Sequence, residues 1–203
     1  RFLSNKTLGP LIAQLARNDG AVISDLFIDW VDERGDRPFF AFLNYFDAHA
    51  PYRPPAPYDT RYGPELTKFL QRFSKNDWTE EELRDFVNAY DGAIRYVDDQ
   101  ISRVLDHLES IGELDDTIVI VTGDHGEQFG EHGLVDHGNS LYMPLLHVPM
   151  IISYPKGLAP ARYSELVTMR DIPATILDLV GADLHGLGGT SLARFWNGGD
   201  ATA

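Results

Sequence analysis

The sequence predicts an α/β protein, with a mainly parallel sheet covered by helices on both faces. Three observations lead there. Short, almost wholly apolar runs occur at residues 39–45 (FFAFLNY), 117–122 (TIVIVT) and 148–154 (VPMIISY), each too short for a surface helix. Longer amphipathic segments alternate with them, and strands apolar on both faces are the mark of a sheet covered on both sides. The chain of 203 residues is 43% hydrophobic and 24% charged, enough apolar material to bury a core.

Val22, Ile23, Leu26, Phe27, Trp30 and Val31 recur at three- and four-residue spacing, which predicts a helix ending near Gly35. The run at 39–45 then reads as a strand buried on both faces. Pro51, Pro54, Pro55 and Pro57 make the stretch after it an irregular loop. Thr79 followed by Glu82 forms a capping box and opens a second helix. Its apolar stripe is Phe86, Tyr90, Ile94, Val97, Ile101, Val104, Leu105 and Leu108, with a stop at Gly112. Gly92 inside it costs roughly 1 kcal/mol relative to alanine, which implies close packing or a helix break. Strands at 117–122 and 148–154 follow, then a short helix over 171–180 with Asp171 as its cap, Pro173 in its first turn and Gly181 at its end. The tail after it is loop-like.

The composition excludes several functions. Without cysteine the chain has no disulfide, thiolate metal site or cysteine nucleophile of its own. A net charge of −14 disfavours nucleic acid as a partner, and an anionic substrate then needs a metal or a local cationic pocket. No apolar run approaches the ~18 residues of a membrane span.

In open α/β sheets ligands bind beyond the carboxyl ends of the strands. Two of the apolar runs hand over to polar loops there. The first supplies Asp47 and His49; the second supplies Asp124, His125, Glu127, Glu131, His132, Asp136 and His137. Asp124 and His125 can both bind one metal if the chain turns sharply, and Gly123 and Gly126 permit that turn. A solvated turn capped by Asp124 is the competing reading. His107, His147 and His185 belong to no motif.

Taken in order, HAPY at 49–52, GDHGEQFGEHG at 123–133, DHGNSLYMPLLHVPMIISYP at 136–155 and DIPATILDLVG at 171–181 resemble the sulfatase family of the alkaline-phosphatase superfamily, over roughly residues 22–192. The resemblance implies an alkaline-phosphatase-like fold, of which residues 1–192 would be the second half of the catalytic domain. Residues 193–203 would lead toward a small C-terminal subdomain. It implies a metal-dependent sulfuric ester hydrolase acting on a small sulfate ester. Asp124 and His125 match the later pair of metal ligands. The family's cation is Ca2+, and the imidazole of an Asp-His pair also suits Mn2+. His49 matches the histidine that touches substrate and protonates the leaving oxygen, a task its unperturbed pKa suits. His137 stands where many sulfatases carry a sulfate-binding lysine. His132 has either a pocket role or a structural one.

The family's formylglycine nucleophile, made in a C/S-x-P-S-R-type motif, has no counterpart here, and neither does the family's early aspartate pair. Both are expected upstream, so the fragment alone is expected to be inactive. A periplasmic or extracellular location follows from the resemblance only. Two alternatives remain open: a phosphonate or phosphodiester hydrolase or phosphoethanolamine-type transferase of the same superfamily, and a non-catalytic metal-binding remnant. Tyr52, Arg53, Tyr58 and Arg61 are candidates for the leaving-group pocket.

Overall fold

In the computed structural model of the chain, the described residues are 19–66, 78–183, 186 and 188–196. They fall into two compact units. One runs from the first described residues to Leu114 and takes up His125–His147; the other joins Asp115–Asp124 to the residues from Val148 onward.

In the first unit, helix α1 spans Gly20–Glu33. The Asp19 carboxylate caps it by accepting from the Ala21 N–H, and Gly35 ends it with φ 65°. Helix α2, Glu80–Ser110, carries the expected capping box: the Glu82 N–H donates to the Thr79 hydroxyl and the Thr79 N–H to the Glu82 carboxylate. It stops where Gly112 adopts φ 76° and the Glu113 N–H donates to the Leu108 carbonyl.

Both helices bury faces rotated away from the expected stripes. On α2 the buried residues are Phe86, Ala89, Gly92, Ala93, Tyr96, Gln100, Val104 and Leu108, while Ile94 is 42% exposed. On α1 they are Gly20, Ser24, Phe27 and Val31, and Leu26 is 58% exposed. The reason is that small and polar residues form the seam. Ser24 donates to the Gln100 carbonyl at 3.2 Å, so the Tyr45 hydroxyl donates to Ser24 at 2.9 Å. Reading only large apolar residues misses such contacts. Phe27 and Val31 then pack on Val104 and Leu108. Each such side chain contributes at most about 1.5–3 kcal/mol when fully buried.

The other end of α2 holds the proline-rich loop. Ala50 and Tyr52 are buried against Phe86, Ala89 and Ala93. Gly92 lies in the middle of an unbroken helix, and a Cβ there would overlap the backbone carbonyl of Tyr58. Close packing is therefore its explanation. The run 39–45, expected to be a strand buried on both faces, joins no ladder among the described residues and packs on one face only. Phe39 and Leu43 lie against the α1–α2 core, whereas Phe40 and Phe42 are exposed.

After strand β1, Val119–Thr122, the chain re-enters the first unit, where β2, Gln128–Phe129, pairs antiparallel with β3, Val135–Asp136, and the one-turn helix α3 covers Met143–Leu146. The strand labelled β1, Val119–Thr122, belongs to the second unit, where it pairs antiparallel with β4, Met150–Ser153. Both ladders among the described residues are thus antiparallel, against the expectation of a mainly parallel sheet. An apolar run reports contact on two faces and says nothing of strand direction. The chain between β1 and β4 returns without a long crossover helix, as an antiparallel connection allows.

Helix α4, Asp171–Leu179, ends before Gly181 as expected. Asp171 is its first residue and not its cap; its buried carboxylate accepts from the Thr168 and Thr190 N–H groups. The Thr190 contact folds the chain back, and residues Leu192–Phe195 form a 3₁₀ turn capped by Ser191 where a loop was expected. Residues 197–203 lie outside the described residues.

Replacing Gly92 by alanine gains about 1 kcal/mol of helix propensity but forces a methyl into the Tyr58 carbonyl, a clash of about 1–3 kcal/mol or more. The expected outcome is net destabilisation, read as a lower urea midpoint.

Candidate active site

The sequence-predicted histidines come from two loops of the first unit. The earlier loop follows the extended segment and is tied down at its start, where the Gly20 N–H donates to Asp47 Oδ1 at 3.1 Å. The His49 ring stacks on Phe46, with centroids 4.5 Å apart. Its Nδ1–H donates to the Ala50 carbonyl at 2.7 Å, which makes Nε2 the nitrogen able to exchange a proton outward.

The later loop is set by Gly126. Its N–H donates to the Leu145 carbonyl at 2.8 Å, and its α-carbon lies so near Pro144 that a Cβ would overlap the Pro144 carbonyl oxygen. Only glycine fits there. His125 donates Nδ1–H to the Gly126 carbonyl at 2.8 Å, a second anchor of the same turn. The β2–β3 ladder, with Gln128 opposite Asp136 and Phe129 opposite Val135, then brings His137 back beside Glu127. Asp136 takes φ 74°, a left-handed conformation in which its carboxylate accepts from the His137 backbone N–H at 2.9 Å.

The result is a cluster of three imidazoles. His137 stacks on His125 with centroids 4.2 Å apart and meets His49 edge-on at 4.8 Å. Beneath them lies the Glu127 carboxylate, with a side chain only 6% exposed. It accepts from His137 Nδ1 at 3.1 and 3.3 Å and from the Tyr52 hydroxyl at 2.6 Å. Burial, reinforced by the neighbouring Glu127 charge, pushes the Tyr52 hydroxyl far above its ordinary pKa, so it stays a neutral donor.

Asp124, the residue before His125, is exposed and ends the first segment of the second unit. His132 goes elsewhere: it is exposed, takes φ 57° and stacks on Tyr142 at 3.8 Å. His107 pairs with Asp32 at 2.9 Å, and His147 is exposed at the end of α3. His185 lies outside the described residues. Among the proposed pocket residues, Tyr52 is buried and so withdrawn from any substrate, and the Tyr58 hydroxyl is committed to Asp99 at 2.7 Å. Arg53 and Arg61 remain exposed. The pairing of Tyr52 with Glu127 was missed, since 75 residues separate them.

Two residue sets bear on a metal. Glu127, Asp136 and His137 each offer a ligand atom, all within 4.8 Å of one another. Within that set the Glu127–His137 contact has hydrogen-bond geometry, and a metal bound by both through Nδ1 would have to displace the shared proton. His125 fits better as a ligand. Its Nδ1–H is held by a backbone carbonyl, the usual way a protein makes Nε2 the coordinating nitrogen.

A comparison with known families finds the sulfatase family matching residues 3–182. The chain belongs to the sulfatase family. Among curated relatives of this sulfatase-family chain, an N-acetylglucosamine-6-O-sulfatase of Bacteroides thetaiotaomicron is 36% identical over 51% of the chain and 18% of the relative. A multifunctional alkaline phosphatase superfamily protein of Trinickia caryophylli is 25% identical over 82% of the chain and 38% of the relative. The chain thus spans less than two fifths of the length of either. Among solved structures, a phosphonate monoester hydrolase from Silicibacter pomeroyi superposes with a TM-score of 0.78 at 29% identity, covering 89% of this chain and 42% of that one. The phosphonate monoester hydrolase of Agrobacterium radiobacter gives 0.76 at 28% identity over the same shares. The described part of the chain therefore has a sulfatase-type, alkaline-phosphatase-like fold. No helix among the described residues is long and apolar enough to cross a membrane.

Substituting Gly126 with alanine should cost about 1–3 kcal/mol by overpacking against Pro144. The same substitution should move the His125 ring off His137. A lowered melting temperature together with shifted His125 and His137 resonances is the expected result.

Proposed function

We propose that the protein bearing this chain is a metal-dependent sulfuric ester hydrolase, and that the imidazole cluster is its substrate-facing site. The observation that carries this reading is the convergence of His49, His125 and His137, from two loops far apart in sequence, onto one another. Membership of the sulfatase family supports it.

In this reading Asp124 and His125 hold one divalent cation, which when bound screens the charge of the sulfate oxygens and lowers the pKa of the nucleophile. His137, its Nδ1–H held by Glu127, donates to a sulfate oxygen from Nε2 and therefore acts as the imidazolium. As the nucleophile attacks sulfur and the ester S–O bond breaks, the electron pair goes to the leaving oxygen, and His49, acting as the imidazolium because its Nδ1–H stays on the Ala50 carbonyl, delivers a proton to it from Nε2 and is left neutral. His49 is placed for this by its Nδ1 bond to Ala50 and its stack on Phe46. The chain has no cysteine and no C/S-x-P-S-R motif, so the nucleophile is not one of its own residues in that form. His132, stacked on Tyr142, has no step assigned to it. The same reading puts residues 1–192 in one catalytic domain, with the segment 39–45 joining a mainly parallel sheet in the whole protein.

A second reading, hydrolysis of phosphonate or phosphate esters at the same site, is favoured by the likeness to two phosphonate monoester hydrolases over 89% of the chain. Parallel assays of the full-length protein on an aryl sulfate and on a phenylphosphonate monoester separate the two. The sulfatase reading expects the larger kcat/KM on the sulfate; the reverse order replaces it by the second.

Two variants test the assignment of roles. His49→Ala should lower kcat by roughly 10²–10⁴-fold, the usual contribution of a positioned proton donor, while the affinity for the divalent ion stays as in the wild type. Asp124→Ala should abolish calorimetric binding of that ion; undiminished binding removes Asp124 from the ligand set.

A further inference from the structure

We propose that Glu127 is the positioning residue of His137: with Tyr52 behind it, it forms a buried hydroxyl–carboxylate–imidazole chain that presents His137 Nε2 to the substrate anion. The functional part of this inference rests on the reading of His137 as the group that binds the sulfate.

The argument starts from what ring packing alone can do. The torsion that turns an imidazole about its Cβ–Cγ bond is broad and roughly two-fold, so steric contact barely distinguishes a ring from its flipped form. His125 against the face of His137 and His49 at its edge limit the plane of the ring. Neither contact tells Nδ1 from Cδ2. A hydrogen-bond partner does, and Glu127 supplies it at 3.1 and 3.3 Å from Nδ1. Because Nδ1 and Nε2 lie on opposite sides of the ring, Nε2 then faces away from Glu127.

Glu127 is suited to this and to nothing else in the proposed reaction. Burying a carboxylate is costly unless donors surround it, and Glu127 has two, His137 Nδ1–H and the Tyr52 hydroxyl. Tyr52 is itself 3% exposed and packed among Phe86, Ala89 and Ala93, so the carboxylate is held by a rigid neighbour. Asp136 is the other carboxylate near the ring, with Oδ1 2.9 Å from Nδ1. That contact lacks the hydrogen-bond geometry of the Glu127 pair; the same oxygen accepts from the His137 backbone N–H, and the side chain is 33% exposed. Partners of this kind, which act on a site through one of its members, typically cost 10–100-fold when removed.

The test uses the full-length protein with 15N-labelled histidine. The wild type should show a solvent-protected Nδ1–H on His137, and Glu127→Ala should remove that protection and shift the ring resonances of His137 in a protein that still unfolds cooperatively. In kinetics, Glu127→Ala should raise KM by about 10–100-fold with a much smaller change in kcat, and should add nothing in a His137→Ala background. If Glu127→Ala does not fold, Tyr52→Phe replaces it. Losing one hydroxyl at constant ring packing should shift the His137 15N resonances and raise KM by about 3–10-fold, the worth of one hydrogen bond. The inference is overturned if the folded Glu127→Ala protein keeps the wild-type Nδ1–H protection and ring resonances of His137, if its KM effect multiplies with that of His137→Ala, or if Tyr52→Phe leaves both resonances and KM unchanged. The Nδ1–H readout does not require turnover, so it decides the positioning role separately from the sulfatase reading.

Discussion

The first unit depends on one seam along α2, built from Phe86, Ala89, Ala93, Tyr96, Gln100, Val104 and Leu108 at three- and four-residue steps. Its C-terminal half takes α1 through Phe27 and Val31. Its N-terminal half takes the proline-rich loop through Ala50 and Tyr52. The small residues in the middle matter as much as the large ones at the ends. Gly92 lets the Tyr58 carbonyl approach the helix backbone, and this brings the loop that carries His49 close to α2. A single rigid element thus sets the place of the earlier loop, which is how a site on loops can still be held to a fixed geometry.

The later loop is placed by backbone contact. Gly126 sits against the carbonyls of Pro144 and Leu145, and the short β2–β3 ladder closes behind it. Polar side chains fill the space where apolar ones would lack specificity. Gln128 is fully buried and accepts from Ser140, and Glu127 is held by Tyr52 and His137. Buried polar groups of this kind contribute little net stability but penalise every arrangement that leaves one unpaired. They select one loop conformation, and the order of the site follows from it.

Electrostatics give the cluster its chemical sense. A chain of net charge −14 repels anions at long range, yet three imidazoles are gathered at one place, where His137 meets the buried Glu127 carboxylate and the partly exposed Asp136. Imidazole is the side chain that changes charge nearest neutrality, so such a gathering can meet an anionic ester and return a proton to it. Directed hydrogen bonds hold all three rings by Nδ1: to Ala50, to Gly126 and to Glu127. In each ring the anchoring nitrogen is Nδ1 and not Nε2.

Local signals in the sequence determined the helix ends, because caps are chemistry between near neighbours: Thr79 with Glu82, and Gly35, Gly112 and Gly181 at the stops. The motifs likewise named the family and singled out His49, His125 and His137, since their order along the chain is itself the evidence. Tertiary structure alone decided which helix faces are buried, because Ser24 and Gln100 join a seam that hydropathy does not report. It also decided the antiparallel sense of β1 and β4, since an apolar run carries no direction. Last, it turned Tyr52 from a candidate for the substrate pocket into the buried support of Glu127. That pairing spans 75 residues and is made by packing on α2, which no local pattern encodes.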